Sequence, residues 1–324
     1  MRQKEFKLSN VDLKVLNVLE NNSRLSYREI SKLSKVGSAT IHQKVRRWLK
    51  ENFIKRFTID INWELLGRKS LAYVSVLVDF PAQKEAPKKY VEMLEKINQF
   101  SYVESVSSVT GRTDLILRAS ARSNDEMNQF LDNLRLLEGV SRTETYMSLF
   151  DGKKINSLQG KKFDYKESHL RILQALQENA RASLRQIAKK AGISHASVHT
   201  FLKELIDNKI IMRFTVILNN EKMGLATRAY VLITFDYPLL LKLKVTQKDI
   251  VGKLIKRPEV FKATAVTGRV DAILLVNVEN MYKLDEFVIG LRGIKGIKRT
   301  ETLVASRHTQ KEIDDISRLF KQDG

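Results

Sequence analysis

Apolar positions recur at two periods along this chain, and the switch between them marks out its elements. After Asn10, a possible cap, the run Val11 to Glu20 places Leu13, Leu16 and Leu19 at helical spacing, and Asn21-Asn22-Ser23 ends it. Ser26 to Gly37 predicts a second short helix, with Ser26 as its cap and Ile30 and Leu33 on its apolar side. Ser38 to Asn52 predicts a third, with Ser38 as N-cap and Ile41, Val45, Trp48 and Leu49 as its seam. At about 100° per residue, Thr40, Gln43, Lys44, Arg46, Arg47 and Lys50 fall away from that seam. Phe53 to Ile61 then turns β-rich and predicts a strand or wing leading out of the three helices, with Gly67 closing a turn.

From Ser70 the pattern reads strand, helix, strand, strand, helix, strand. Leu71 to Phe80 is the first strand, and Pro87 opens a helix to about Asn98. Val103 to Val109 and Asp114 to Ala119 flank the turn Gly111-Arg112-Thr113. Asn124 is placed to cap a helix through Leu137, Gly139 ends it, and Val140 to Leu149 is the last strand. This βαββαβ order is the ferredoxin-like arrangement, a four-stranded sheet with both helices on one face. The bare face needs a cover.

The same chain supplies a candidate cover. Gly111-Arg112-Thr113-Asp114 returns as Gly268-Arg269-Val270-Asp271, and Arg142-Thr-Glu-Thr145 as Arg299-Thr-Glu-Thr302, both at an offset of 157 residues. Arg56-Phe-Thr58 and Arg213-Phe-Thr215 hold the same register, as do Leu13, Leu16, Leu19 and Leu170, Leu173, Leu176. The chain is a tandem duplication. The fold expected is α+β: two winged helix-turn-helix domains, 1–66 and 164–223, each followed by a ferredoxin-like domain, 67–150 and 224–306. The two sheets are expected to pack face to face as a pseudo-dimer. Segment 151–163 reads as a polar linker, and 307–324 as a C-terminal helix with Ile313, Ile316 and Leu319 on one side.

Charge narrows the function. Among 324 residues, 57 Lys and Arg stand against 37 Asp and Glu, a net +20 that favours a polyanionic partner. No cysteine is present, which excludes disulfides and thiolate metal sites. No apolar run approaches membrane-spanning length, and a cytoplasmic protein without membrane attachment is expected. A short helix with a buried seam and a cationic outer face fits the major groove of double-stranded DNA. Ser38, Thr40, Gln43 and Lys44 stand at its N-terminal part, where Thr40, Gln43 and Lys44 are placed to read bases; Arg46, Arg47 and Lys50 are placed for phosphates.

The second copy departs from the first. Lys44, Arg47 and Lys50 become Phe201, Glu204 and Asp207, so its recognition helix is electrostatically poorer and Phe201 is expected to be exposed. Its remaining candidates are Arg185, Lys189, His195, Thr200 and Lys203, with Lys161, Lys162, Arg181 and Lys190 as further nearby cations. His195 and His199 stand at i and i+4, but no third ligand accompanies them and no metal site is expected. His42 and His199 are expected to be half-buried or to face phosphate. No catalytic constellation and no cofactor motif is present.

Each half resembles the Lrp/AsnC, or feast/famine, transcription regulators over residues 9–149 and 166–306. The resemblance is carried by Leu13-Lys-Val-Leu16 with Arg24-Leu-Ser26, by the helix-turn-helix, by Phe53-Ile54 leading into the wing, and by Val109-Thr-Gly111 with Asp114. It implies DNA binding, a βαββαβ domain that dimerises and often senses an amino-acid-like effector, and further homo-oligomers. It places the effector near the hairpin residues Gly111, Arg112, Asp114, Gly268, Arg269 and Asp271, where Arg112 or Arg269 would pair with a carboxylate. Siroheme decarboxylases resemble the same two-part fold and supply the alternative, a tetrapyrrole enzyme. A Soret band on mixing with a metallated tetrapyrrole would favour that enzyme, and salt-sensitive duplex binding the regulator.

Overall fold

The computed structural model describes residues 8–80, 85–151 and 163–310. Chain order begins with helices α1 (Asn10–Asn21), α2 (Tyr27–Ser34) and α3 (Ser38–Lys50) and strand β1 (Ile54–Ile61). It continues through β2 (Ser70–Val78), α4 (Ala86–Gln99), β3 (Val103–Thr110), β4 (Leu115–Ala121), α5 (Asn124–Arg135) and β5 (Val140–Asp151). The second copy runs α6 (Glu167–Glu178), α7 (Leu184–Ala191), α8 (His195–Asp207), β6 (Ile211–Leu218), β7 (Thr227–Phe235), α9 (Tyr237–Leu243), α10 (Gln247–Leu254), β8 (Val260–Thr267), β9 (Ala272–Val278), α11 (Met281–Arg292) and β10 (Ile297–Gln310). Two compact units result: the described residues within 1–67 and 160–224 form one, and those within 68–159 and 225–314 the other.

Three helix starts differ from expectation. Ser9, not Asn10, caps α1, because Asp12 three residues on returns the bond and closes a capping box. Ser123 replaces Asn124 for α5, its Oγ accepting from Glu126 N at 3.2 Å. Gly37 precedes α3 without a side-chain cap, and Ser38 is already helical. Ser26 and Ser183 do cap α2 and α7, each in a reciprocal box with Glu29 or Gln186. Leu16, Leu19, Ile30, Ile41, Val45 and Trp48 are buried as expected, but Leu13, Leu33 and Leu49 are exposed, and Val15 is buried where Leu13 was expected. The seam of so small a unit is narrow; Ser34 takes the inner place beside Ile30, satisfied by donating to the Ile30 carbonyl at 2.7 Å.

In the helical unit, each copy contributes three helices and one strand. The expected wing is not a hairpin within either copy: β1 pairs antiparallel with β6 of the other, from Ile54 opposite Leu218 to Ile61 opposite Ile211. Bonds repeat across this junction with pseudo-two-fold symmetry. Thr58 Oγ1 donates to the Gln177 carbonyl at 2.9 Å, and Thr215 Oγ1 to the Glu20 carbonyl at 2.8 Å. Arg24 Nη1 donates to the Ala180 carbonyl at 2.5 Å, and Arg181 Nη1 to that of Ser23 at 2.7 Å. One apolar core spans both copies.

In the second unit, the two βαββαβ copies form one closed barrel of order β10-β3-β4-β2-β5-β8-β9-β7. The sheets face each other as expected, and in addition they join at both edges. Strands β5 and β10 have 12 and 14 residues, long enough to leave their own sheet past a bulge and pair with β8 and β3. Among the described residues, the barrel therefore has no unpaired sheet edge. Between the sheets lie Tyr73, Tyr146, Tyr230, Ile273 and Leu303. Tyr230 Oη and Ser107 Oγ, 2.8 Å apart, and Tyr73 Oη and Thr264 Oγ1, 3.4 Å apart, are equivalent cross-copy bonds. The outer faces are covered by α4 and α5 in the first copy and by α9, α10 and α11 in the second, where two short helices stand between β7 and β8 in place of the single helix expected. Thr309 and Gln310 belong to β10, where a helix was expected to start, and the rest of the expected helix and linker residues 152–162 lie outside the described residues.

Candidate nucleic-acid interface and ligand domain

Helix α3 is held by Ile41, Val45 and Trp48 and turns Thr40, His42, Gln43, Arg46, Arg47 and Lys50 to solvent. Arg47 pairs with Glu51 one turn on, Nε to Oε1 at 3.0 Å. Ser38 is half-buried. Lys44 departs from the expected exposure: its Nζ lies 2.7 Å from Asp12 Oδ1, and its side chain is 27% exposed. Burial raises the Asp12 carboxyl, but hydrogen bonds from Lys44 and Ser9 outweigh it and hold the group below its ordinary value. Lys44 thus ties α3 to α1.

The equivalent pair in the second copy is His169 and Phe201, rings 4.7 Å apart and edge to face. Phe201 is half-buried, not exposed as expected. His169 Nδ1 accepts from the Lys166 backbone N–H at 3.0 Å, which leaves the proton on Nε2, 3.0 Å from Glu204 Oε2. Glu204 therefore turns back to α6. His195, His199, Thr200, Lys203 and Asp207 are exposed on α8, and Arg185 and Lys189 on α7. His42 is exposed too, edge-on to Tyr27 at 5.3 Å. Arg181, expected as a spare cation, is spent on the inter-copy junction and stacks over Tyr27 and Phe57. Lys190 pairs with Glu178; Lys161 and Lys162 lie outside the described residues.

In the barrel unit, Gly111 has φ +135° and Gly268 φ +128°, conformations that suit glycine. Each hairpin glycine also abuts the other copy's last strand: a Cβ on Gly111 would lie 2.8 Å from Leu303 Cδ2, and one on Gly268 3.2 Å from Tyr146 Cδ1. Asp114 and Asp271 each accept from a backbone amide of the neighbouring strand, Val78 N and Phe235 N, both at 2.7 Å. Arg112 and Arg269 meet in a four-membered ring with Glu144 and Glu301. Arg112 reaches Glu144 at 3.0 Å and Glu301 at 2.5 Å; Arg269 reaches Glu301 at 3.0 Å and Glu144 at 3.3 Å. Burial raises Glu144, yet bonds from Tyr146 and Arg112 and the charge of both arginines bring it below its ordinary value. The glutamates were missed as partners, although both stand in the repeated Arg-Thr-Glu-Thr, a signal that was visible.

Among the described residues, no group of three or more His, Cys, Asp or Glu is placed to hold a metal ion, and no helix is long and apolar enough to cross a membrane. The winged helix-turn-helix DNA-binding family profile matches residues 8–55 and 166–212, and the Lrp/AsnC ligand binding domain profile matches 75–156 and 239–313. HTH-type transcriptional regulator FL11 of Pyrococcus furiosus is 30% identical over 151 residues, 47% of this chain and 95% of that protein. A further HTH-type transcriptional regulator of Pyrococcus furiosus, uncharacterised, is 36% identical over 143 residues, 44% of this chain and 93% of that protein. Among solved structures, siroheme decarboxylase NirDL, in complex with an iron-uroporphyrin III analogue, superposes with a TM-score of 0.64 at 12% identity, covering 97% of this chain and 98% of that one. At that identity the likeness is one of fold alone. Both domains of the regulators occur twice, in the same order and with an exposed cationic helix in the first: the chain belongs to the Lrp/AsnC family of DNA-binding transcription regulators, as a tandem duplicate within one polypeptide.

Proposed function

We propose that this regulator reads its operator mainly through α3, with Thr40 and Gln43 at base edges and Arg46, Arg47 and Lys50 on phosphates. The observation that carries this is the outward row of hydrogen-bonding and cationic side chains on a helix whose opposite seam is locked into the core. Lys44 serves the α1–α3 ion pair, not a base. On the second copy, Arg185, Lys189, His195, Thr200 and Lys203 make a weaker set of contacts, so one chain binds as an asymmetric pseudo-dimer. Two chains presenting their α3 helices together bind a palindrome, and this assembly works in the cytoplasm. The barrel senses a small carboxylate-bearing effector, amino acids being the class the family suggests, beside Gly111, Arg112, Asp114, Gly268, Arg269 and Asp271. Because both arginines already hold both glutamates, an effector carboxylate there displaces one of them. Duplex binding measured against salt concentration tests the DNA reading: a steep loss of affinity with salt is expected, and salt-independent binding contradicts it.

A further inference from the structure

The two copies differ at one bulge, and the difference makes a charged cleft in the second. Lys298 is the extra residue between the pairs Ile297–Phe235 and Arg299–Thr234. A regular strand would send Lys298 and Arg299 to opposite faces; the bulge breaks that alternation, and both line one cleft of about 270 Å³ with Leu232, Thr234, Arg269, Val270 and Glu301. The first copy has the same bulge between Leu77 and Val78, but its extra residue is Ser141, whose hydroxyl is spent on the Leu77 carbonyl at 3.0 Å.

The charge balance of this cleft selects its ligand. The ring of Arg112, Glu144, Arg269 and Glu301 is neutral as a whole. Glu301 has one oxygen on each arginine, so it offers no free carboxylate to an ammonium group. Lys298 and Arg299 are exposed and have no acidic partner among the described residues. Two cations without counter-charge therefore stand over an apolar floor of Leu232 and Val270, with the Thr234 hydroxyl as a further donor. The volume suits a small metabolite. The first copy keeps Arg142 alone at these two positions.

We propose that the second copy binds one small organic dianion per chain, a dicarboxylate or a phosphate monoester without a cationic group, through Lys298 and Arg299. The inference puts a dianion in place of the amino-acid-like class named above and rests on the effector reading only for the consequence on DNA binding; occupancy is measurable without DNA. The test is calorimetric titration of the full chain at fixed ionic strength with glutarate, glycerol 3-phosphate and L-leucine. One of the two dianions is expected to bind at one per chain, ahead of leucine, and which of them does so names the source. Lys298→Ser, which installs the first copy's residue, and Arg299→Ala are each expected to weaken that binding about tenfold, the worth of one charge-assisted hydrogen bond. Absence of binding by both dianions, equal binding by leucine, two sites per chain, or full affinity in both variants would overturn the proposal. If the dianion binds as described but leaves DNA affinity unchanged, the effector reading falls while the anion site stands.

Discussion

Lys44 and Asp12 form a 2.7 Å ion pair that joins the recognition helix to the first helix, and 157 residues later the same two positions hold Phe201 and His169 in ring contact. The duplication kept the junction and changed its chemistry. Replacing Asp12 by Asn leaves a half-buried ammonium with a weaker partner and is expected to cost about 1–2 kcal/mol at neutral pH. The Asp12 carboxyl is held below its unfolded value, so the pair's contribution is complete above a pH of about 4 and disappears as pH falls through the folded value. Urea unfolding across a series from pH 7 downward should therefore show the gap between parent and variant constant above a pH of about 4 and narrowing as pH falls below it.

Arg46→Ala with Arg47→Ala is expected to lower affinity for all duplexes alike and to reduce the slope of log K against log salt by about 2, one phosphate for each cation. Filter binding across a salt series measures this. An unaltered slope would remove both residues from the interface.

The asymmetry between the helices is tested by Asp207→Ala beside Lys50→Ala on one mapped operator. Loss of Lys50 should weaken binding; loss of Asp207 should leave it unchanged or tighten it. Glu204→Ala is expected to act on stability instead, because it leaves the buried His169 Nε2–H without its acceptor, a loss of about 1–3 kcal/mol. Equal footprint losses from Asp207→Ala and Lys50→Ala would show the helices to be equivalent.

The Arg–Glu ring couples the two copies, and a double-mutant cycle is its measure. Glu144→Gln and Arg269→Ala are expected to be non-additive by about 0.5–2 kcal/mol in thermal unfolding at pH 7. Since the Glu144 carboxyl is also lowered, that coupling should fade as pH drops through its folded value. Additive losses at neutral pH would mean that the contact contributes nothing.

Most of each helix seam, the βαββαβ order of the first copy and the duplication were legible in the sequence. Each is a periodic or repeated signal, and periodicity is local: Ile41, Val45 and Trp48 announce a buried face whatever they pack against. Residue choice likewise exposed the cationic α3 and its poorer counterpart. Tertiary structure alone decided which positions were free to act. Lys44 sits at a spacing that points outward, yet Asp12, 32 residues earlier, draws it in. Arg181 reads as a surface cation until the Ser23 carbonyl of the other copy is brought beside it. Strands β1 and β6 show no preference for each other in sequence, and β5 and β10 carry no mark of crossing between sheets. Backbone hydrogen bonds are chemically alike in every strand, so partner choice comes from the assembled core and not from the strand's own residues. The cleft proposed for a dianion belongs to the same class, since Lys298 and Arg299 are neighbours that a regular strand would send to opposite faces, and only the bulge brings both to one cleft.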